Sequence, residues 1–124
     1  MAVKFFKCAH CGNVVVKMVD SGVPLVCCGK IMDELLPNTV DASHEKHVPY
    51  VTMIDNETMK VEVGNVHHPM TPEHHIAFIY VQTDSAGITV NLKDEPVALV
   101  RCCNEKPVAV YEYCNLHGLW KKEL

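Results

Sequence analysis

The sequence predicts an all-β chain: a small metal-stapled N-terminal knuckle domain followed by an antiparallel, immunoglobulin-like β-sandwich. Three observations point there. Four cysteines, Cys8, Cys11, Cys27 and Cys28, fall in the first 28 residues. Beyond residue 50, short runs rich in Val, Ile, Thr and Tyr are broken by Gly, Pro and Asp at intervals of about ten residues, the rhythm of short antiparallel strands. No long amphipathic helical pattern interrupts them.

In chain order, Cys8-Ala9-His10-Cys11-Gly12 is followed by an alternating stretch at 13–19, a turn at Asp20-Ser21-Gly22, and then Val26-Cys27-Cys28-Gly29. This reads as two short strands tied at the cysteines. Pro37-Asn38-Thr39-Val40-Asp41-Ala42-Ser43 has turn and linker chemistry without apolar periodicity, which places a boundary between a first domain, residues 1–36, and a second, residues 37–124. In the second, residues 50–54 and 58–63 flank Asp55-Asn56-Glu57, and Met59, Val61 and Val63 alternate with Lys60 and Glu62 as a half-buried hairpin arm does. Thr71-Pro72-Glu73 has the chemistry to open one helical turn, with Thr71 as cap and Pro72 in first position. Further strands are expected at 76–82, 88–92, 97–102 and 108–113. Cys114 and His117 then lie at the end of the last strand, where Gly118 can turn left-handed.

The bulk properties exclude several classes. At 124 residues with an apolar fraction of 48%, the chain can fill one ordinary core, or one core beside a tiny stapled domain. A formal charge of −4 without a Lys/Arg cluster argues against nucleic-acid binding, which needs a basic face. No apolar run approaches membrane-spanning length and the first residues do not resemble a secretion signal, so a cytoplasmic protein is expected. In a reducing compartment seven cysteines are thiols or thiolates, and metal binding is the better default than disulfides.

Two ligand sets emerge. Cys8-x-x-Cys11-Gly, with Cys27 and Cys28 about sixteen residues on, completes a four-thiolate tetrahedron that suits iron or zinc. Adjacent ligands distort that tetrahedron and tilt the reading toward iron. His10 is expected to be a bystander. The second set pairs a thiolate and an imidazole, Cys114 and His117, with candidates His44, His47, His67, His68, His74 and His75. Consecutive residues on an extended segment face opposite ways, so at most one member of each doublet, His67-His68 and His74-His75, converges easily on a common centre. Cys102-Cys103 has no ligand neighbours, and one of the two is expected in the core with the other exposed.

Cys8 to Cys11 with Cys27-Cys28, then Glu45-Lys46-His47-Val48-Pro49, then His68-Pro69-Met70 with His74, then Glu112-Tyr113-Cys114-Asn115-Leu116-His117-Gly118, together resemble the desulfoferrodoxins, the two-iron superoxide reductases. The resemblance spans essentially the whole chain, as a desulforedoxin-like domain and a neelaredoxin-like sandwich. It implies that Cys8, Cys11, Cys27 and Cys28 hold one iron, and that His47, His68, His74 and His117 are equatorial ligands of a second with Cys114 axial. His67, His75 and the Cys102-Cys103 pair lie outside the matched motifs. By the same resemblance the substrate is superoxide, the electron donor is rubredoxin-like, and a homodimer is plausible.

The chemistry of such a site is coherent. Four neutral imidazoles and one thiolate leave ferrous iron with a net charge of about +1 and an open position, attractive to a small anion. A thiolate opposite that position raises the electron density available there. Superoxide takes one electron and two protons and leaves as hydrogen peroxide. Lys46 would add positive charge and assist proton delivery, and Glu45 would be the sixth ligand of the ferric state; as sequence neighbours, they imply a loop that moves. The competing readings are a rubredoxin-like electron carrier, in which only the cysteine domain matters, and a zinc-stapled binding module without catalysis. Nucleophilic chemistry by Cys114 lacks an accompanying oxyanion loop.

Overall fold

The computed structural model describes residues 3–39, 47–64 and 66–124. Glu45 and Lys46, with His44, lie outside the described residues. The chain divides into two compact units, Met1–Leu36 and Pro37–Leu124. Among the described residues the regular elements are twelve β-strands.

In the first unit, β1 (Phe5–Lys7) is the central strand of a three-stranded antiparallel sheet between β2 (Val14–Val16) and β5 (Asp33–Leu35). A second, two-stranded ladder joins β3 (Val26–Cys27) to β4 (Lys30–Ile31). Buried apolar side chains here are few, namely Phe5, Cys8 and Met32. So small an apolar centre cannot hold 36 residues without a further constraint, and the cysteines are placed to supply one.

The second unit is a sandwich of two antiparallel sheets. One contains β6 (Pro49–Met53), β7 (Thr58–Val63) and β10 (Val97–Arg101), in the order β10-β7-β6. The other contains β8 (Ile76–Thr83), β9 (Gly87–Asn91), β11 (Pro107–Cys114) and β12 (Gly118–Glu123), in the order β12-β11-β8-β9. Three strands on four is the immunoglobulin-like arrangement expected. Strand alternation decides the core: Met59, Val61 and Val63 point inward from β7 against Ile79 and Val81 of β8 and Val110 of β11, all fully buried. Asp55 closes the β6–β7 hairpin, its Oδ1 accepting the backbone N–H groups of Glu57 and Thr58, each at 2.8 Å.

Three expectations need correction. β11 is not the last strand: β12 follows it, paired from Cys114↔Gly118 to Ala109↔Glu123. Leu119 and Trp120 are both buried, so β12 lacks the alternation that would announce a strand before its charged end. The helical turn at Thr71 is a bend in which Thr71 N–H donates to His74 O at 2.9 Å and His74 N–H donates to Thr71 Oγ1 at 3.1 Å. β1, β4 and β5, too short to carry a periodicity, are absent from the expected strands. Cys102 packs in the core while Cys103 is exposed, and both lie beyond β10 in a turn where Cys103 and Asn104 have φ of 46° and 69°.

Candidate metal centres

The four N-terminal cysteines are delivered by two tight turns. Between β1 and β2, Gly12 N–H donates to Cys8 O and Cys8 N–H to Asn13 O, each at 2.9 Å, and Cys11 N–H approaches Cys8 Sγ at 3.5 Å. The other pair comes from the β3–β4 hairpin. Its two central residues, Cys28 and Gly29, both have positive φ, 52° and 74°, the pattern of a type I′ turn that Asn-Gly usually supplies. Cys28 occupies the Asn position, which explains why these two cysteines are adjacent rather than spaced. Cys11 Sγ lies 3.6 Å from Cys27 Sγ, and Asn13 Nδ2 donates to Cys27 Sγ at 3.6 Å. All four sulfurs lie within 4.8 Å of one another.

Protonation shows what this cluster lacks. The Cys11 N–H chiefly lowers the Cys8 pKa to about 6, against some desolvation. Hydrogen bonding with Cys11 and Cys8 holds the Cys27 thiol up and pushes Cys28 up to about 12. Four thiolates therefore coexist here only around a cation, whose charge reverses the proton preference. The donor set fits tetrahedral iron or zinc.

The second cluster gathers residues spread over 70 positions. His47 lies two residues before β6, His68 and His74 lie in the β7–β8 connection, Cys114 is the last residue of β11, and His117 sits in the short turn before β12. Their ligand atoms all lie within 4.8 Å of one another. The rings close a quadrilateral in the order His47, His68, His74, His117, with centroid separations of 5.0, 4.5, 5.1 and, back to His47, 4.7 Å. Cys114 Sγ lies 3.6 Å from His68 Nε2 and 3.8 Å from His117 Nδ1, two opposite corners, so the thiol sits astride that diagonal. His47 Nε2 and His117 Nδ1 are 2.9 Å apart.

Several of the ligands are held from behind. His68 Nδ1 lies 2.8 Å from Pro69 O, an acceptor that makes Nδ1 the donor and leaves Nε2 as an unprotonated ligand atom. Trp120 Nε1 donates to His117 O at 3.1 Å, and His47 stacks on the same indole with centroids 5.0 Å apart. Gly118, at φ 80°, turns the chain into β12. Burial lowers the His68 pKa to about 4 and also lowers that of His74, so both imidazoles are neutral at physiological pH. Burial raises the Cys114 thiol, opposed by the backbone N–H groups of His117 and Leu116.

The fit to a metal rests on His74 and on the donor set. His74 Nε2 is buried without a hydrogen-bond partner, an expensive state for a ring nitrogen unless a cation completes it. Four imidazole nitrogens and one thiol facing a common centre suit a divalent transition ion. One member of each doublet reaches the cluster, although both doublets lie in the β7–β8 connection and not on strands. His67 is exposed beside Glu62 at 3.3 Å, and His75 turns its Nδ1 to Thr71 O at 3.0 Å. Trp120, which sequence reasoning did not single out, packs against His47 and holds the His117 carbonyl; the weak signal was its place just after the Cys114–His117 motif.

Glu112 is a further surprise. It is fully buried on the inner face of β11, two residues before Cys114, and neither carboxyl oxygen has a hydrogen-bond partner. Desolvation raises its pKa well above the ordinary carboxylate value. Among the described residues no helix is long and apolar enough to cross a membrane.

Comparison with known proteins agrees with this geometry. The family model for desulfoferrodoxin matches residues 39–123. The chain is 42% identical over 120 residues to a desulfoferrodoxin of Syntrophotalea carbinolica, covering 95% of this chain and 94% of the relative. It is likewise 42% identical over 122 residues to a desulfoferrodoxin of Nitratidesulfovibrio vulgaris, covering 97% and 95%. The crystal structure of a superoxide reductase from Treponema pallidum superposes with a TM-score of 0.82 at 30% identity, covering 99% of this chain and 100% of that one.

Proposed function

Since this chain belongs to the desulfoferrodoxin family, we propose that it is a superoxide reductase, an oxidoreductase that converts superoxide to hydrogen peroxide without releasing oxygen. The observation that carries the reading is the quadrilateral of four imidazoles with the Cys114 thiol astride one diagonal. His47, His68, His74, His117 and Cys114 would together hold a non-haem iron. When bound, ferrous iron there supplies the electron that superoxide accepts.

The residues do the rest. Neutral His68 and His74 add no positive charge that would repel the metal, and Cys114 loses its proton to become the one anionic donor. Trp120 and the β-sandwich core bury one side of the cluster and exclude water from it. Lys46 would attract the anionic substrate and assist proton delivery, and Glu45 would be a further ligand to oxidised iron; both roles rest on the matched motif alone. Cys8, Cys11, Cys27 and Cys28 hold a second iron in the desulforedoxin-like unit 1–36, while residues 37–124 form the neelaredoxin-like catalytic unit. A rubredoxin-like donor returns the electron, in a cytoplasmic homodimer. A carrier or a zinc-stapled module would use only the four cysteines and would leave the second cluster without a purpose.

The test is metal analysis and optical spectroscopy of anaerobically purified protein before and after oxidation, together with superoxide consumption. Iron at both sites and peroxide formed in equal amount to the superoxide consumed are expected. Zinc alone at the four-cysteine site would reject iron there, and oxygen evolution would reject a reductase.

A further inference from the structure

Of the five residues in the histidine-cysteine cluster, His74 alone has a ring nitrogen buried without a hydrogen-bond partner, and it sits on a bend rather than on a strand. A ligand on a bend wanders unless something outside the bend fixes it. Thr71 fixes it internally: its N–H donates to His74 O at 2.9 Å, and its Oγ1 and carbonyl both accept from His74 N–H, at 3.1 and 3.2 Å. These bonds set the shape of the bend but not its place over the cluster.

The external fixing comes from one residue. Asn115 Oδ1 accepts from His75 N–H at 2.8 Å, Asn115 Nδ2 donates to Glu73 O at 2.9 Å, and Asn115 N–H donates to His75 O at 3.1 Å. The three bonds straddle His74, gripping the residue on each side of it, across about 40 positions of sequence. Asn115 is also the first residue after Cys114 and belongs to the turn that carries His117. One side chain thus ties two ligand-bearing segments together. The carboxamide is suited to it because it donates and accepts at once; an aspartate would keep only the bond from His75 N–H and would set a negative oxygen against the Glu73 carbonyl.

We propose that Asn115 is a positioning residue that clamps the 73–75 bend onto the Cys114–His117 turn and thereby fixes His74 as a metal ligand. The proposal rests on the reading of this cluster as a metal centre. It concerns neither the ligands themselves nor substrate contact: Asn115 acts through His74. Residues behind a ligand typically contribute about 10–100-fold in metal affinity, and Asn115 belongs in that range.

The experiment is a thermodynamic cycle in the full-length protein, with Co²⁺ as the probe in competition with a chelator. Single-thiolate and four-thiolate Co²⁺ sites differ in charge-transfer absorption, so the two clusters are followed separately. Asn115→Ala is expected to weaken Co²⁺ binding at the histidine-cysteine cluster about 10–100-fold, Asn115→Asp to weaken it less, and both to leave the four-cysteine cluster unchanged. In a His74→Ala background, Asn115→Ala is expected to add almost nothing, since the ligand it positions is gone. An equal loss in both backgrounds, or no loss in either, overturns the proposal. Amide hydrogen exchange in the metal-free protein separates this from the functional reading. Asn115→Ala is expected to speed exchange at His75 N–H even if the wild type binds no Co²⁺ at that cluster, a result that would sink the metal reading alone; unchanged exchange removes the clamp.

Discussion

Cys114 Sγ lies 3.6 Å from His68 Nε2, although 46 residues separate them in sequence. The closeness is a product of strand pairing. β11 and β8 run antiparallel with Cys114 opposite Ile76, so the end of β11 meets the connection that leads into β8 and carries His68 and His74. The β11–β12 turn then folds His117 back over the same end. Three loops and one strand end thus converge at one edge of a rigid sandwich, which is where precise constellations are best supported.

The sole sulfur in that cluster defines the first prediction. Cys114→Ser is expected to abolish superoxide reduction, measured as peroxide formed from a superoxide source, because a neutral hydroxyl supplies neither the charge nor the electron donation of a thiolate. The four-cysteine site should keep its metal and its spectrum. Retained reductase activity would remove Cys114 from the assignment.

Lys46, from the matched Glu45-Lys46-His47 motif, carries the second. Lys46→Ala is expected to slow the reaction with superoxide at low salt and to flatten its dependence on ionic strength, since a single nearby charge acts through a field that salt screens within about 10 Å at 0.1 M. Rates that match the wild type at low salt would count against steering by this residue.

Glu112 sets a pH dependence of stability in the metal-free protein. Burial without a partner raises its folded-state pKa above the ordinary value of 4.5, so the folded chain holds a proton that the unfolded chain releases. Its contribution is therefore whole below pH 4.5 and is lost as pH rises through the raised pKa. Glu112→Gln, neutral at every pH, is expected to melt at a higher temperature than wild type in alkaline solution, with the advantage disappearing toward pH 4.5. His68 titrates on the acid side in both proteins and cancels in the difference. A melting difference that does not change with pH would show that Glu112 is not protonated in the folded state.

Gly29 tests the hairpin that presents Cys27 and Cys28. Its φ is 74°, and an added Cβ would meet nothing within 4 Å, so a substitution there acts through backbone conformation and not through a clash. Gly29→Val is expected to destabilise the hairpin by about 1–2 kcal/mol and to speed chelator removal of metal from the four-cysteine site, with the histidine-cysteine site unaffected. An unchanged removal rate would dissociate the type I′ turn from metal retention.

Much of the architecture was legible from local pattern. Alternation of Met59, Val61 and Val63 with Lys60 and Glu62 marks β7 because a strand with one buried face has no other way to distribute its side chains. Turn residues at Asp55-Asn56-Glu57 mark the hairpin for an equally local reason. β12 was illegible because its neighbours Leu119 and Trp120 are both buried while its end is charged, which reads as a tail. Cys28 in a left-handed turn was illegible too, since cysteine seldom takes the place of asparagine there. Glu112 sits in an apparently ordinary strand, and only the packing around it shows that its carboxyl is dry and unpaired.

The amino-acid sequence alone determined the ligand inventory, the all-β class and the motifs that place the chain in its family, because each depends on residue type and short-range spacing. Tertiary structure decided which histidines meet. His68 and His74 reach the cluster while His67 and His75 turn to Glu62 and Thr71, and Trp120 stacks on His47 and holds the His117 carbonyl. Convergence of three loops and a strand end is a non-local event, set by the register of β8, β11 and β12. No window of sequence records that register, since it follows from how the two sheets bury their inner faces.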